Sequence, residues 1–190
     1  MNSLRFRYPK SVNGGSFCMI WFWYFLFYSF VGFLLEVAFA WCTGGHPRRK
    51  CLLVLPLCPV YGLGACLILG AAADFTAPTS LFVIGTVLAT ASEYCMAAFC
   101  EDILGVSFGD YSNLPFHVHG RVCLPFSIAW GLLSIPLVRW LHPMVAEVDF
   151  TPPYFVTALM MAAFLSDTLV SGLLLRRFRT RDVLDWYVRT

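Results

Sequence analysis

Charged residues are scarce in this sequence, and their scarcity excludes an ordinary soluble domain. Only 13% of the 190 residues are charged and 59% are hydrophobic, whereas a typical soluble domain carries about 25% charged residues. A chain of this composition does not fold around one aqueous core. The tails and loops are short, so we interpret residues 1–190 as a single membrane domain.

Several motifs that would indicate a chemistry are also missing. There is no Gly-x-x-x-x-Gly-Lys-Ser/Thr, so the chain has no phosphate-binding loop of its own for ATP. There is no Cys-x-x-Cys, which disfavours a zinc or redox framework. The net charge is only +2 and the basic residues flank apolar runs, so no nucleic-acid partner is expected. We expect no cofactor or metal.

Long apolar runs occur five times. The first has 24 residues and would span about 36 Å as a helix, which is enough to cross a bilayer. It is too long for the apolar core of a signal peptide and contains Glu36, so we expect it to be retained. The pattern predicts an all-α, polytopic transmembrane bundle in the cell membrane. The predicted spans are residues 17–40, 52–73, 79–100, 122–140 and 154–175.

The second run is predicted to be a broken helix. Pro56 and Pro59 stand close together and are followed by Gly62 and Gly64. Proline removes a backbone donor and clashes with the preceding turn. Two interpretations stay open, namely a simple kink packed by its neighbours and a discontinuous element that lines a binding site.

Acidic residues inside the runs are the most unusual feature. Glu36, Glu93 and Asp167 each lie in an apolar run, where a charged side chain costs about 3 kcal/mol on insertion scales. Glu93 also belongs to a ladder of four-residue spacing from Gly85 to Glu101, whose small residues favour close helix packing. A bundle interior, a hydrated cavity or a partner must therefore accept these carboxylates.

The basic residues predict an orientation with the N-terminus outside and the C-terminus inside. Nine of them fall on the inner side in that arrangement, in the loop after the first run, at Arg121 and in the tail 176–190, against four outside. The three acids then lie about 6, 10 and 12 Å of helix rise from the inner ends of their spans. They converge beside the loop between the third and fourth runs, which predicts a cytoplasm-facing polar cavity.

That loop invites two catalytic interpretations that the spacing does not support. His117 and His119, with Asp110 and the glutamates, would offer enough ligands for zinc or manganese, but no His-Glu-x-x-His spacing occurs. Ser112 would be the nucleophile of a hydrolase, but it lies in no nucleophile-elbow motif. Most cysteines, including Cys58, lie in or at the edges of apolar runs, where a thiol acts as a small hydrophobe.

Three fragments together resemble the ABC-transporter type IV (CmpB-like) membrane family. They are residues 28–36, 55–65 and 92–131, and the match in order and spacing extends over about residues 17–140. The resemblance implies a small bacterial integral membrane protein that acts as a transporter permease. The family's polar positions fall here on Glu36, Pro59, Tyr61, Gly62, Glu93, Glu101, Asp110, Tyr111, Ser112, Gly120 and Arg121.

The chain departs from the family pattern at three places. Gly109 stands where the family typically has Trp, and Leu55 precedes Pro56 where it typically has Gly. His117 and His119 replace two Asn residues. Since Asn and His share hydrogen-bonding ability but differ in metal affinity, this substitution argues against a metal role and leaves a hydrogen-bonding role open.

The leading hypothesis is therefore a permease-like subunit of a membrane transport system, with the lipid bilayer, a separate ATPase subunit and a second copy of the chain as candidate partners. The alternative is a membrane-embedded enzyme that acts on a lipid-linked substrate at the cytoplasmic face. A structural or regulatory partner without a substrate would leave the intramembrane acids unexplained. In the predicted site, Arg121 balances part of the acidic charge. The site residues are Glu36, Tyr61, Glu93, Glu101, Asp110, Tyr111, Ser112, His117, His119 and Arg121.

Overall fold

A computed structural model shows a bundle of helices with one small hairpin. The structure describes residues 14–43, 51–75, 77–148 and 152–184. The basic residues predicted to flank the first span, at 5–10 and 48–50, lie outside these ranges, as does Arg189. The helices are α1 (Gly14–Cys42), α2 (Pro59–Ala71), α3 (Pro78–Phe99), α4 (Leu124–Pro136), α5 (His142–Glu147) and α6 (Tyr154–Phe178).

Shorter elements extend and connect these helices. A π-helical turn, Cys100–Leu104, continues α3, and a second, Leu137–Leu141, joins α4 to α5. Strands β1 (His117–Val118) and β2 (Val122–Cys123) pair antiparallel, with His117 opposite Cys123. A 3₁₀ turn, Arg181–Leu184, follows α6. The all-α prediction is confirmed.

Four helical segments are long and apolar enough to cross a membrane. They are Phe17–Cys42, Pro78–Leu104, Leu124–Glu147 and Tyr154–Phe178. Within the described residues, the second predicted span, 52–73, contributes only the shorter helix α2, which has 13 residues. Outward-facing leucines such as Leu165, Leu169 and Leu173 leave α6 with an apolar surface, as expected for a helix in contact with lipid.

Prolines and glycines set several helix boundaries. Pro59 and Pro78 each begin a helix, at a position where the missing N–H would have no intrahelical partner. Gly105, with φ of 70°, ends the π-helical turn after α3 in the left-handed conformation. These local signals determine where α2 and α3 begin and where the π-helical extension of α3 ends.

The second predicted span is interrupted where Pro56 and Pro59 predict, but residues 51–58 are not helical at all. The Cys58 N–H donates to the Ser29 carbonyl of α1 at 2.9 Å. The Val54 and Leu55 N–H groups donate to the two carboxylate oxygens of Asp167 on α6, at 3.1 and 2.7 Å. Asp167 thus supplies acceptors that a helix would otherwise provide.

Cys58 does not act as a free thiol. It forms a disulfide with Cys51, so the bridge brackets the non-helical segment 51–58. The prediction of a thiol that packs as a small hydrophobe is wrong for this residue. The reason is that the non-helical backbone brings two cysteines seven positions apart within bonding reach.

Neighbouring helices pack closely around small residues. A Cβ added at Gly85 on α3 would collide with the Ser134 side chain of α4, and one added at Gly131 would collide with Thr86. The Ser134 hydroxyl donates to the Leu81 carbonyl at 2.8 Å. This contact matches the close helix approach predicted for the small residues on the α3 ladder.

The tail and the polar loop lie at the same end of the bundle. Leu175 of α6 and Leu184 of the tail pack against Cys100 and Leu104 at the end of α3. An Arg181 guanidinium nitrogen donates to the Phe108 carbonyl at 3.5 Å. The arginines that follow α6 therefore flank the loop that carries most of the predicted site residues.

Candidate functional site

Glu36 on α1 is held by a tyrosine from the discontinuous element. The Tyr61 hydroxyl donates to the Glu36 carboxylate at 2.6 Å. Tyr61 lies in the first turn of α2, directly after the non-helical segment. Its ring lies over Gly32, one turn before Glu36, where a Cβ would collide with it. The break in the second run thus places the tyrosine on the carboxylate.

Glu93 on α3 is held by two aromatic donors. The Trp130 indole N–H donates to one carboxylate oxygen at 2.9 Å, and the Tyr111 hydroxyl donates to the other at 3.2 Å. The Tyr61 and Trp130 rings meet edge to face, with centroids 5.3 Å apart. These ring contacts join Glu36, Tyr61, Trp130, Glu93 and Tyr111 into one cluster, the Glu36–Glu93 site.

The donors at this site are neutral groups. In the described part of the chain, neither Glu36 nor Glu93 forms an ion pair with a basic side chain. Tyr111 lies outside the spanning segments, and its burial, followed by the charge of Glu93, raises its pKa, so it stays a protonated donor. The site therefore stabilises the carboxylates by hydrogen bonds without neutralising them.

Arg121 belongs to a second cluster on the same loop. Its guanidinium donates to Glu101 at 2.6 Å and to Asp102 at 2.8 Å, and it lies 5.5 Å from the centroid of the Tyr94 ring. The hydrogen bond with Glu101 raises the pKa of Arg121, which keeps it charged. The predicted pairing of Arg121 with site acids is thus found at Glu101, while Asp102 lies outside the predicted set.

Backbone hydrogen bonds connect the two clusters. The Tyr111 N–H donates to the Gly120 carbonyl at 2.8 Å, directly before Arg121. The Glu101 carboxylate also accepts the Ser107 hydroxyl at 3.0 Å. One folded loop therefore carries the donor to Glu93 and the counter-charge to Glu101.

One of the two histidines is hydrogen-bonded to α3 and the other within this loop. His119 Nδ1 lies 3.0 Å from the Tyr94 hydroxyl, with which it shares a hydrogen bond. His117 Nδ1 accepts the Gly120 N–H at 3.2 Å. Across the described residues, no group of three or more His, Cys, Asp or Glu is arranged to hold a metal ion.

Ser112 is not placed for nucleophilic catalysis. Its hydroxyl and its N–H, the latter at 2.9 Å, both donate to Asp110, and these bonds lower the pKa of that carboxyl. Sequence reasoning missed a Gly-x-Ser-x-Gly pattern at residues 105–109. Ser107 at its centre follows a helical turn and donates to Glu101 and to the Gly109 carbonyl, so it does not form the strand-to-helix elbow of hydrolases.

Trp130 is the main site residue outside the predicted set. An indole N–H in an apolar span needs an acceptor, and this requirement is the signal that would have pointed to it.

A groove of about 400 Å³ lies elsewhere, toward the start of α3, and its lining is almost entirely apolar. It is formed by Pro78, Thr79, Phe82, Val83, Leu132 and Ile135.

These features define a multi-pass, all-helical membrane protein with acidic side chains in its spans. The family model described as "Putative ABC-transporter type IV" matches residues 23–172, and the chain belongs to this family. The matched region includes every residue of the two clusters. Comparison with curated proteins and with solved structures gives no significant match.

Proposed function

We propose that the chain is a permease-like subunit of a membrane transport system and that the Glu36–Glu93 site takes up a positively charged solute or a proton. The observation that carries the proposal is that two carboxylates from different spans each accept hydrogen bonds from aromatic side chains that contact one another, and have no basic partner among the described residues. Membership of the transporter family supports the general class.

Electrostatics supports a cationic ligand. A carboxylate at membrane depth costs about 3 kcal/mol on insertion scales, and neutral donors remove only part of that cost. Arg121 is already engaged by Glu101 and Asp102. A proton or a cation that binds at the Glu36–Glu93 site would complete the charge balance that the described side chains leave open.

The discontinuous second element supports a transport role. Residues 51–58 and α2 place irregular backbone beside α1, with Tyr61 at the junction. Broken elements that line a site are a recurrent feature of transporters, because their helix ends and unwound backbone supply groups that bind the solute or the coupling ion. We propose that the site opens to the cytoplasm, at the end of the bundle where the polar loop and the arginine-rich tail meet.

A separate ATPase subunit would supply the energy in this proposal, since the chain has no phosphate-binding loop. The enzyme alternative has less support from the geometry. A lipid-linked phosphate would need a cation within the site, and Arg121, the basic residue of the two clusters, is paired with two carboxylates. The Ser112 hydroxyl is bound to Asp110 rather than to a histidine.

Cation-dependent thermal stability tests the site. The purified chain in nanodiscs would be heated with potassium, sodium or methylammonium chloride, and with pH varied at constant ionic strength. A specific cation or proton should raise the melting temperature of the wild type, and Glu36→Gln and Glu93→Gln should lose that response. Glu147→Gln, which changes an exposed acid at the end of α5, serves as the matched control.

Two results would count against the proposal. If the wild type and the double variant Glu36→Gln/Glu93→Gln respond alike to every cation and to pH, the site does not bind a cation. If purification from native membranes under mild conditions recovers no ATPase with the chain, and nucleotide does not alter its transport, the subunit role fails while the site remains testable.

A further inference from the structure

The loop before α4 exposes apolar side chains that its polar sequence does not require. Phe116 is 79% exposed and Val118 is 50% exposed. Phe116 also has a φ of 54°, a strained value for a bulky residue. The fold therefore holds a large aromatic side chain out of the protein at some conformational cost.

The strand register places this surface at the edge of the bilayer. His117 pairs with Cys123, so Phe116, which precedes β1, is at the same end of the hairpin as Leu124, which follows β2. Leu124 begins both α4 and its membrane-spanning segment. Phe116 thus lies level with the start of a span, at the depth where interfacial segments bury Trp, Phe and Leu side chains in the bilayer.

The exposed surface is continuous with the lipid-facing side of α4. Leu124, Ile128 and Leu132 are all exposed and follow one another at four-residue spacing, so they share one face of the helix. Phe116 extends this apolar stripe beyond the helix start. A surface that continues a lipid-facing stripe matches a lipid environment in chemistry and position.

The other side of the loop is fixed to the protein. His119 bonds Tyr94, and Arg121 bonds Glu101 and Asp102, all on α3 and its π-helical extension. The hairpin is therefore held against α3 by polar contacts and by the buried residues of β2, while Phe116 and Val118 stay exposed. It is held in place before any partner binds.

We propose that Phe116, together with Val118, inserts into the interfacial region of the bilayer and anchors the loop 105–123 to the membrane surface. The same loop carries Tyr111, which donates to Glu93. The anchor would thus fix the depth of the loop relative to the Glu36–Glu93 site. This inference does not depend on what that site binds.

Depth-dependent fluorescence quenching tests the anchor. Phe116→Cys would be labelled with the fluorophore NBD in a full-length chain whose exposed thiols, Cys18, Cys42 and Cys95, are replaced by Ala. The protein would be placed, one copy per nanodisc, in phosphatidylcholine with or without spin-labelled lipid. Asn113→Cys, an exposed polar position on the same loop, is the matched control.

We expect spin-labelled lipid to quench the label at position 116 at least twofold more than the label at position 113, and aqueous iodide to do the reverse. Equal iodide quenching at both positions would overturn the proposal. Shielding from both quenchers would also overturn it, since a second protein surface would then cover Phe116. Photo-crosslinking from benzoylphenylalanine at position 116, which keeps an aromatic ring, gives a second measurement, in which a protein adduct instead of a lipid adduct is the contrary result.

Discussion

At the scale of single residues, aromatic N–H and O–H groups bind two of the three intramembrane acids, where basic side chains are the more usual partners. Tyr61 donates a hydrogen bond to Glu36, while Trp130 and Tyr111 donate hydrogen bonds to Glu93. Aromatic donors bring apolar area that suits a bundle interior, and they fix the orientation of a carboxylate without cancelling its charge. The site therefore combines two oriented carboxyl groups with the absence of a basic partner among the described residues.

Removing one of these donors should lower the free energy of unfolding. Tyr61→Phe deletes only the hydroxyl that bonds Glu36, and we expect a loss of about 1–2 kcal/mol in the free energy of unfolding. The measurement is thermal or denaturant unfolding of the purified chain in nanodiscs. Tyr154→Phe, at an exposed tyrosine that begins α6, is the control and should change stability little. Equal effects of the two substitutions would show that the Tyr61–Glu36 bond contributes nothing measurable.

The Arg121 cluster makes a different residue-scale prediction. Arg121→Ala leaves two adjacent carboxylates facing each other, so it should lower the melting temperature more than Arg121→Ala combined with Glu101→Ala. Arg176→Ala, at an exposed arginine near the end of α6, should change it little. If the double variant is less stable than Arg121→Ala alone, like-charge repulsion is not what Arg121 relieves.

Sequence reasoning identified most site residues because a charge in an apolar run is visible without a structure. Glu36 and Glu93 are found in this way, and Tyr61 follows from the family pattern. Trp130 and Asp102 are missed, since the sequence does not reveal which residue bonds the indole N–H or the second acid beside Glu101. Their roles depend on contacts with residues 37 and 19 positions away.

At the scale of elements, α1 and α2 approach at Gly62. A Cβ at this position would collide with the Ser29 hydroxyl and with the Phe25 carbonyl, which is backbone and cannot move aside. Gly70, two turns later in the same helix, has open space around it. Substitutions at these two glycines therefore distinguish the effect of close packing, which applies at Gly62, from the effect of helix propensity, which applies at both.

The pair makes a matched prediction. Gly62→Ala should destabilise the chain by about 1–3 kcal/mol through overpacking, whereas Gly70→Ala should be neutral or stabilise it by up to about 1 kcal/mol through helix propensity. Thermal unfolding of both variants in nanodiscs provides the comparison. A Gly62→Ala variant as stable as Gly70→Ala would mean that α1 and α2 are farther apart than described here.

Asp167 acts on the segment 51–58 as a capping side chain acts on a helix end, by accepting its backbone N–H groups. Both of its oxygens accept backbone N–H groups from the segment 51–58, and the Ser171 hydroxyl donates to it at 2.9 Å. Asp167→Ala would remove the hydrogen bonds that these two N–H groups make to the carboxylate, each at a cost of about 1–3 kcal/mol. Asp167→Asn keeps one acceptor oxygen and should lose less stability.

Hydrogen exchange reports on this contact directly. The amides of Val54 and Leu55 should exchange faster in Asp167→Ala than in the wild type, with Asp167→Asn between them. Amides in α3, which does not contact Asp167 through any hydrogen bond described here, should be unaffected. Unchanged exchange at residues 54 and 55 would show that other acceptors hold the segment.

The break near Pro59 was predictable because proline and glycine act locally. The extended path of residues 51–58 was not, since its acceptor lies on α6, 112 positions from Leu55. The disulfide between Cys51 and Cys58 was not predicted for the same reason, because only the non-helical path brings the two cysteines together. Local signals gave the boundaries of elements, and distant partners gave their shape.

At the scale of the whole molecule, one end of the bundle gathers the polar loop, the end of α3 and the arginines after α6. The excess of basic residues on this side predicts that it faces the cytoplasm. The opposite end carries the connection between α2 and α3, with exposed Asp74. The two ends thus offer distinct positions for a topology measurement.

Impermeant maleimide applied to intact cells tests the orientation. In a background without exposed native thiols, Ser107→Cys and Asp182→Cys should stay unlabelled until the membrane is opened, while Asp74→Cys should be labelled at once. Labelling of Ser107→Cys in intact cells, with Asp74→Cys protected, would invert the topology. The Glu36–Glu93 site would then face the exterior.

The contact between Asp167 and the segment 51–58 also bears on how the protein is made. Ribosomes add roughly 5–20 residues per second, so about 5–20 s separate the synthesis of Leu55 from that of Asp167. During this interval the Val54 and Leu55 amides lack the acceptors that they have in the finished fold. Because hydrocarbon offers no substitute, these amides need other acceptors until then, from water or from a local helical turn. The described path of residues 51–58 can therefore form only after the last span has been made.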